Sequence, residues 1–255
     1  MEDKVVDVFI ASLPRQLHVV ETVKTVLANP ETLTITIVAN NYSDLEWKEV
    51  QKRLVDANCE YQVPIYLHRG DNAKESNEKL RFVHKGYGKY ISFTDDDLCL
   101  APTHFNYLIK GCEKYNAYVS LHGAVLNPLP IGSYYRDRSV FRGLKTVLFD
   151  TPVDIASNCG SLFKREFFGN DILSKQYDLA PTVGMDDILM ATLCKIHGIK
   201  RYVLAHQEGF MKHKIQYPED DYCFDKYTKV LGVSDKVQTD YINRYWRMIE
   251  ISEKK

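Results

Sequence analysis

Lys89-Tyr90-Ile91-Ser92-Phe93-Thr94-Asp95-Asp96-Asp97 decides how this chain is read. Its first six residues form a short β-prone run behind the helix-breaking Gly86-Tyr87-Gly88, so they predict a strand with three aspartates at its carboxyl end. Open α/β sheets bind their ligands at that end. Adjacent carboxylates raise one another's pKa and need a cation to stay ionised together. Hard oxygen ligands suit Mg²⁺ or Mn²⁺, which bridge protein carboxylates to substrate phosphates. Because side chains alternate along a strand, Asp95 and Asp97 are expected on one side and Asp96 on the other. That assigns Asp95 to a nucleotide ribose or the metal shell, and Asp97 to direct coordination. The triplet alone also fits an acidic surface turn or a helix cap.

Upstream, Val5 to Ala11 is nearly continuous in apolar character, as in a strand covered on both faces of a parallel sheet. Leu17, Val20, Val23, Val26 and Leu27 recur at helical spacing until Asn29-Pro30. Thr32 to Ala39 is a second strand, and Asn40 to Asp44 its polar exit loop. A helix over Trp47 to Ala57, a strand over Val63 to His68 and a helix at about Lys74 to His84 complete a βαβ rhythm. The fold class is therefore α/β, Rossmann-like, with a mostly parallel central sheet flanked by helices.

Downstream, a helix from Pro102 to Tyr115 precedes a strand over Ala117 to His122 and an irregular stretch, Leu126 to Asp150. So long a connection is usually functional or mobile. A short strand near Val153 to Ala156, a turn at Asn158-Cys159-Gly160, a helix over Asp186 to His197 and a last strand over Arg201 to Ala205 follow. The tail, Val237 to Glu250, sets Tyr241, Tyr245, Met248 and Ile249 on one side of a helix.

With 255 residues and 45% hydrophobic content, the chain can bury a sizeable core. Lys and Arg (33) nearly balance Asp and Glu (34), which argues against nucleic acid as a partner. The six cysteines lack the spacings of zinc or redox motifs, and no stretch approaches the ~18 apolar residues of a membrane helix. A reducing cytoplasm is the expected compartment.

YISFTDDDL resembles the metal-binding motif of family 2-like glycosyltransferases of the GT-A fold, and other segments between about residues 5 and 215 fall in that family's order. The resemblance implies one glycosyltransferase domain over 1–220, with a nucleotide-binding half at 1–98 and an acceptor half at 99–220, followed by a helical extension at 221–255. It sets FIASLPRQ, with Ala11, Pro14 and Arg15, against the nucleotide. Asn40 and Asn41 stand where the family has an aspartate that holds the base or ribose. The resemblance also implies a basic residue near the donor diphosphate, for which Lys79 is the choice, and makes Asp96 part of the nucleotide site.

VSLHG, Val119 to Gly123, looks like a strand-end motif of a bacterial subgroup, which makes His122 a candidate donor or acceptor contact. The family's acidic base motif stands about eleven residues before a glycine. Asp187 and Gly198 fit that spacing, so Asp187 resembles the catalytic base and Asp186 its acidic neighbour. An acidic pair opening a helix is also what the macrodipole favours. Of the late histidines His206 and His213, the resemblance favours His213 as a further metal ligand.

These assignments imply a Mn²⁺- or Mg²⁺-dependent enzyme that moves a sugar from a nucleotide-sugar, UDP-linked in most of the family, to a saccharide or lipid-linked saccharide acceptor with inversion. Bacterial surface polysaccharide synthesis is the implied pathway. Its setting is the cytoplasm, at the inner face of the membrane if the tail helix with Trp246 and Arg247 rests there, although packing against the core or a second subunit is the expected alternative. Tyr134, Tyr135, Arg136, Arg138 and Phe141 suit either a lid or an acceptor wall. A nucleotidyltransferase is the rival enzyme, but ASLPRQLH lacks a glycine-rich phosphate loop. The rival outside enzymes is a non-catalytic carbohydrate-binding protein of the same fold.

Overall fold

The computed structural model describes residues 4–14, 18–70, 75–168, 186–213 and 233–252. Strand β1 (Val6–Ser12) runs parallel to β2 (Thr32–Ala39) and to β4 (Tyr90–Asp95), and β2 runs parallel to β3 (Ile65–Arg69). With β11 (Phe163–Lys164) antiparallel on β4, the central order is β11-β4-β1-β2-β3. The chain moves outward from β1 through β2 to β3 and returns to the other side of β1 as β4. That reversal leaves a crevice at the carboxyl ends of β1 and β4, where the aspartate triplet emerges.

The strands alternate between two cores, as a sheet covered on both faces must. Val6, Val8 and Ile10 face one core with Val19, Val23 and Val26 of α1 (His18–Leu27), while Phe9, Ile91 and Phe93 face the other with Leu189, Met190 and Leu193 of α4 (Asp186–Ile196). Phe93 is fully buried against Phe9 and Phe163, and cutting it to alanine is expected to cost about 3–5 kcal/mol. Helix α2 (Asp44–Asn58) opens with a capping box between Ser43 and Glu46.

The second half builds small sheets that lean on this frame. β6 (Ala117–Ser120), β12 (Lys200–Val203) and β9 (Thr151–Pro152) form one, and β10 (Ile155–Ala156), β7 (Gly123–Leu126) and β8 (Arg138–Phe141) another. β5 (Leu98–Leu100) pairs with β13 (Met211–His213), and α3 (His104–Tyr115) lies between β5 and β6 in sequence.

Three expectations need correction. The stretch 126–150 is not wholly irregular, because Arg138–Phe141 returns as an antiparallel partner of β7. The helix expected at 74–84 is a 3₁₀ segment, Glu75–Lys85, in which Asn77, Glu78, Lys79 and Leu80 are all fully buried while Arg81, His84 and Lys85 stay exposed, so its polar residues divide between core and solvent. The tail helix, α5 (Val233–Ser252), buries Gln238, Thr239, Ile242 and Trp246, whereas Tyr245 and Met248 are exposed. Its inward face follows α4, where the Trp246 indole N–H donates to Thr192 Oγ1 at 2.8 Å. Trp246 is thereby taken up in the core. Among the described residues no helix is long and apolar enough to cross a membrane.

Segment 131–137 is pinned to α5. Ile131 and Asn243 exchange two hydrogen bonds, the Tyr134 N–H donates to Thr239, and Ser133 Oγ and the Tyr135 N–H both donate to Asp235. Tyr134 and Tyr135 thus belong to a fixed wall.

Candidate active site

The three aspartates part company at the end of β4. Asp96 turns back to β1, accepting from Ser12 Oγ at 3.0 Å and from the Leu13 N–H at 2.9 Å, and is 2% exposed. It clamps the two strand ends that frame the crevice. Asp95, which pairs in register with Ala11, turns to Lys79 at 3.9 Å and keeps 46% of its side chain exposed. Asp97 turns to His213, whose Nδ1 lies 3.7 Å from Asp97 Oδ2. The β5–β13 ladder makes that contact by setting His213 opposite Leu98.

Lys79 is the largest departure from sequence reasoning. Instead of reaching out to a diphosphate it is fully buried, with Nζ 2.7 Å from Asp186 Oδ2. Burial alone would drop its pKa, but the carboxylates of Asp186, Asp95 and Asp187 outweigh that and hold it above the usual lysine value. Asp186 is gripped in return. Burial would raise its carboxyl, yet Lys79, Asn158 Nδ2 at 2.8 Å and Ser76 Oγ at 2.9 Å hold it below the usual range.

Asp187, the next residue, is tuned the opposite way. Its carboxyl is pushed up to about 7, first by burial and then by the neighbouring charge of Asp186. It accepts from the Asn158 N–H at 2.6 Å and from Ser157 Oγ at 3.1 Å. Those donors come from the turn Ser157 to Gly160, where Gly160 takes φ +65° and its carbonyl meets His104 Nε2 at 3.1 Å. The left-handed backbone favours glycine, and a Cβ there would also press on His104 at 3.1 Å. Asn158 is held by the Tyr118 hydroxyl, which donates to its Oδ1. Ser157, Asn158, Ser76 and Tyr118 escaped the sequence reading. Only the Asn-Cys-Gly turn signal pointed near them.

The remaining candidates spread more widely. Asn40 is 1% exposed and its carboxamide sits against Gly70, where a Cβ would fall 1.8 Å from Oδ1. It packs between the ends of β2 and β3, and its backbone N–H donates to the Ser12 carbonyl at the end of β1 at 2.8 Å. Asn41 is exposed and left-handed at φ 61°. Ala11 and Pro14 line the half-buried end of β1, and Arg15 lies outside the described residues. His122 accepts from the Gly143 N–H at 3.4 Å, and burial together with Arg138 and Arg142 lowers its pKa to about 4. His206 is buried with Nδ1 on the Leu204 carbonyl at 2.8 Å, away from Asp97.

Among the described residues no three His, Cys, Asp or Glu side chains come close enough to hold a metal ion by themselves. Asp95 therefore does not complete a triad with Asp97 and His213. The Asp97–His213 pair, one carboxylate and one imidazole at 3.7 Å, fits an ion that takes its other ligands from phosphate and water. Imidazole beside carboxylate suits Mn²⁺ better than Mg²⁺.

This arrangement, a parallel crevice with an acidic strand end and a raised carboxylate across from it, accompanies a family match. The model of glycosyl transferase family 2 matches residues 7–170. The chain belongs to that family. Among solved structures, the mannosyltransferase PcManGT from Pyrobaculum calidifontis, in complex with GDP-Man and Mn²⁺, superposes with a TM-score of 0.52 at 14% identity, covering 82% of this chain and 56% of that one. S. aureus TarS 1-349 gives 0.53 at 8% identity, covering 80% and 58%. At such identities the likeness shows the GT-A fold, and this family 2 chain spans a little over half the length of either neighbour. No curated protein matches it.

Proposed function

We propose that this family 2 member moves a sugar from a nucleotide-sugar to an acceptor hydroxyl, with Asp187 as general base and with inversion at the anomeric carbon. One observation carries the reading. Of two adjacent acids at the start of α4, Asp186 is ionised against a buried lysine and Asp187 is raised to about 7, the value a base needs near neutral pH.

Asp186, Lys79 and Asn158 position Asp187. Its Oδ2 holds Ser157 Oγ and retains a lone pair for the acceptor hydroxyl. Proton removal by a positioned carboxylate contributes on the order of 10²- to 10⁴-fold. Asp97 and His213 would hold Mn²⁺ or Mg²⁺, which when bound supplies the positive charge that steadies a departing diphosphate. Asp95, half open to the crevice beside Ala11, suits the ribose or a metal-bound water. Asp96 serves the nucleotide indirectly, by fixing Ser12 and Leu13. Lys79 acts as a counter-ion and has no reach to the phosphates. A donor with a nucleoside diphosphate is supported by the GDP-Man and Mn²⁺ of the mannosyltransferase neighbour. UDP remains our first choice of nucleotide, a saccharide or lipid-linked saccharide our choice of acceptor, and surface polysaccharide synthesis at the cytoplasmic face of the membrane our choice of setting.

Hydrolysis of a panel of UDP- and GDP-sugars, measured with and without Mn²⁺, tests this. Turnover is expected with the metal alone and is expected to vanish in Asp97→Ala and Asp187→Ala. Equal turnover without metal, or turnover surviving both changes, overturns the assignment.

A further inference from the structure

Past Ser157 and Tyr134 on one flank of Asp187 stands a group of basic side chains that the reaction as described does not use. The β7–β8 ladder pairs Gly123 with Phe141, which sets Arg142, the residue after β8, beside His122, and Arg138 at the start of β8 also lies within electrostatic reach of that histidine. The guanidinium of Arg138 lies 4.1 Å above the Tyr134 ring and 4.8 Å from that of Tyr135. Its Nε is buried without a hydrogen-bond partner. Exposed Arg142 and half-buried Arg138 both lack an ion pair among the described residues, whereas neighbouring Lys145 is matched by Glu208 at 3.0 Å. Two arginines left without a carboxylate beside a fixed aromatic wall are an arrangement short of one negative charge.

The group is connected to the base. The His122 carbonyl accepts from the Ser157 N–H at 2.9 Å, and Ser157 Oγ donates to Asp187 at 3.1 Å. Because His122 Nδ1 accepts from the Gly143 N–H, its Nε2 carries the proton and is a donor. His206, 6% exposed and bridged to Val147, has a buried Nε2 with no partner at the edge of the same group. The hydroxyl of Tyr134, beneath Arg138, lies within the electrostatic reach of Asp187. The Ser157 and Tyr134 flank of Asp187 is separate from the Asp186, Lys79 and Asp95 flank, and the diphosphate is already provided for at Asp97 and His213.

We infer that the acceptor carries a negative charge, a phosphate or a carboxylate, and that Arg138, Arg142 and His122 receive it beside Asp187. The inference rests on the glycosyltransferase reading and names the substrate class of that site. Arginine forks pair with either oxyanion, and the rigid tyrosines offer a face to the sugar that bears it.

The test is calorimetry on the full chain, holding Mn²⁺ and whichever of UDP and GDP it binds, titrated with glycerol 3-phosphate, glucuronate and glucose. The charged probes are expected to bind about tenfold or more tighter than glucose, as one or two charge-assisted hydrogen bonds allow. Whichever of phosphate and carboxylate binds more tightly identifies the group. Arg142→Gln, at an exposed position that leaves folding intact, and Arg138→Gln are each expected to remove most of that preference, with nucleotide affinity within about twofold of the parent and Arg142→Lys restoring part of it. Equal binding of charged and neutral probes overturns the inference, and so does a parallel loss of nucleotide affinity, which would place the arginines on the donor. If neither UDP nor GDP binds, the glycosyltransferase reading falls. Arginine-dependent binding of the charged probes would then still stand.

Discussion

Two buried ion pairs sit at opposite ends of the central sheet and are built for opposite purposes. At the end away from the crevice, Asp7 of β1 is fully buried and meets Arg165 at 2.5 Å, with Thr34 Oγ1 and the Gly88 N–H each donating at 2.6 Å. Arg165 in turn donates to the Gly88 and Val83 carbonyls. One positive charge answers one negative charge, and every strong donor has an acceptor. At the crevice, Lys79 answers Asp186 but also faces Asp95 and Asp187. A single ammonium among three carboxylates leaves a surplus of negative charge, and that surplus adds to burial, the larger cause, in raising Asp187. A closed pair locks the fold, whereas an unbalanced one keeps a carboxylate poised to accept a proton or a cation.

The largest effect that should separate the two sites is catalytic. Asp187→Asn is expected to lower kcat/KM for transfer by about 10²- to 10⁴-fold while raising the melting temperature at pH 8. A carboxyl whose folded pKa of about 7 exceeds its unfolded value costs stability as pH rises through that interval, and asparagine removes the cost. At pH 2, where the carboxyl is protonated in either state, the stabilisation should disappear. An unchanged melting temperature at pH 8 would mean that Asp187 carries no such strain.

Arg165→Met should do the reverse. It leaves Asp7 buried without its partner, at a cost of about 3–5 kcal/mol in urea unfolding, with activity per folded molecule unchanged. A selective loss of activity with stability intact would erase the distinction between the pairs. The pH profile of transfer offers a smaller effect. With Asp187 as base, kcat/KM should rise with pH through about 7. In Lys79→Met the limb should move upward by about one pH unit, because removing the ammonium favours the protonated carboxyl. A downward or absent shift would show that Lys79 does not set the base. Smallest of all, Thr192→Val removes the acceptor of the Trp246 indole and should cost about 1 kcal/mol by thermal unfolding without altering the pH profile.

Much of the frame was legible because it rests on local pattern. The β-branched runs of β1 and β2, the helical spacing of α1, and the strand behind the triplet all declare themselves within a dozen residues. The misreadings arose where burial runs against polarity. Lys79 lies in a segment of mostly polar residues, ESNEKLRFVHK, that looks solvated, and only its contact with Asp186, far along the chain, turns it inward. Asp7, inside VVDVFIA, looks like a flaw in an apolar strand until Arg165 arrives beside it. The face of α5 was misjudged because Tyr245 and Met248 are as apolar as Ile242 and Trp246, and packing on α4 selected the latter two.

By itself, then, the sequence determined that strands and helices alternate, that three aspartates follow a strand, and that two more open a late helix before a glycine. Local periodicity and steric limits on the backbone are enough for that. Only tertiary structure decided what each aspartate does. Asp96 goes to Ser12 and Leu13, Asp95 and Asp186 to Lys79, Asp97 to His213 and Asp187 to the Ser157-Asn158 turn. A carboxylate's charge state and role follow from the partners that solvent exclusion forces on it, and those partners lie on other elements of the chain.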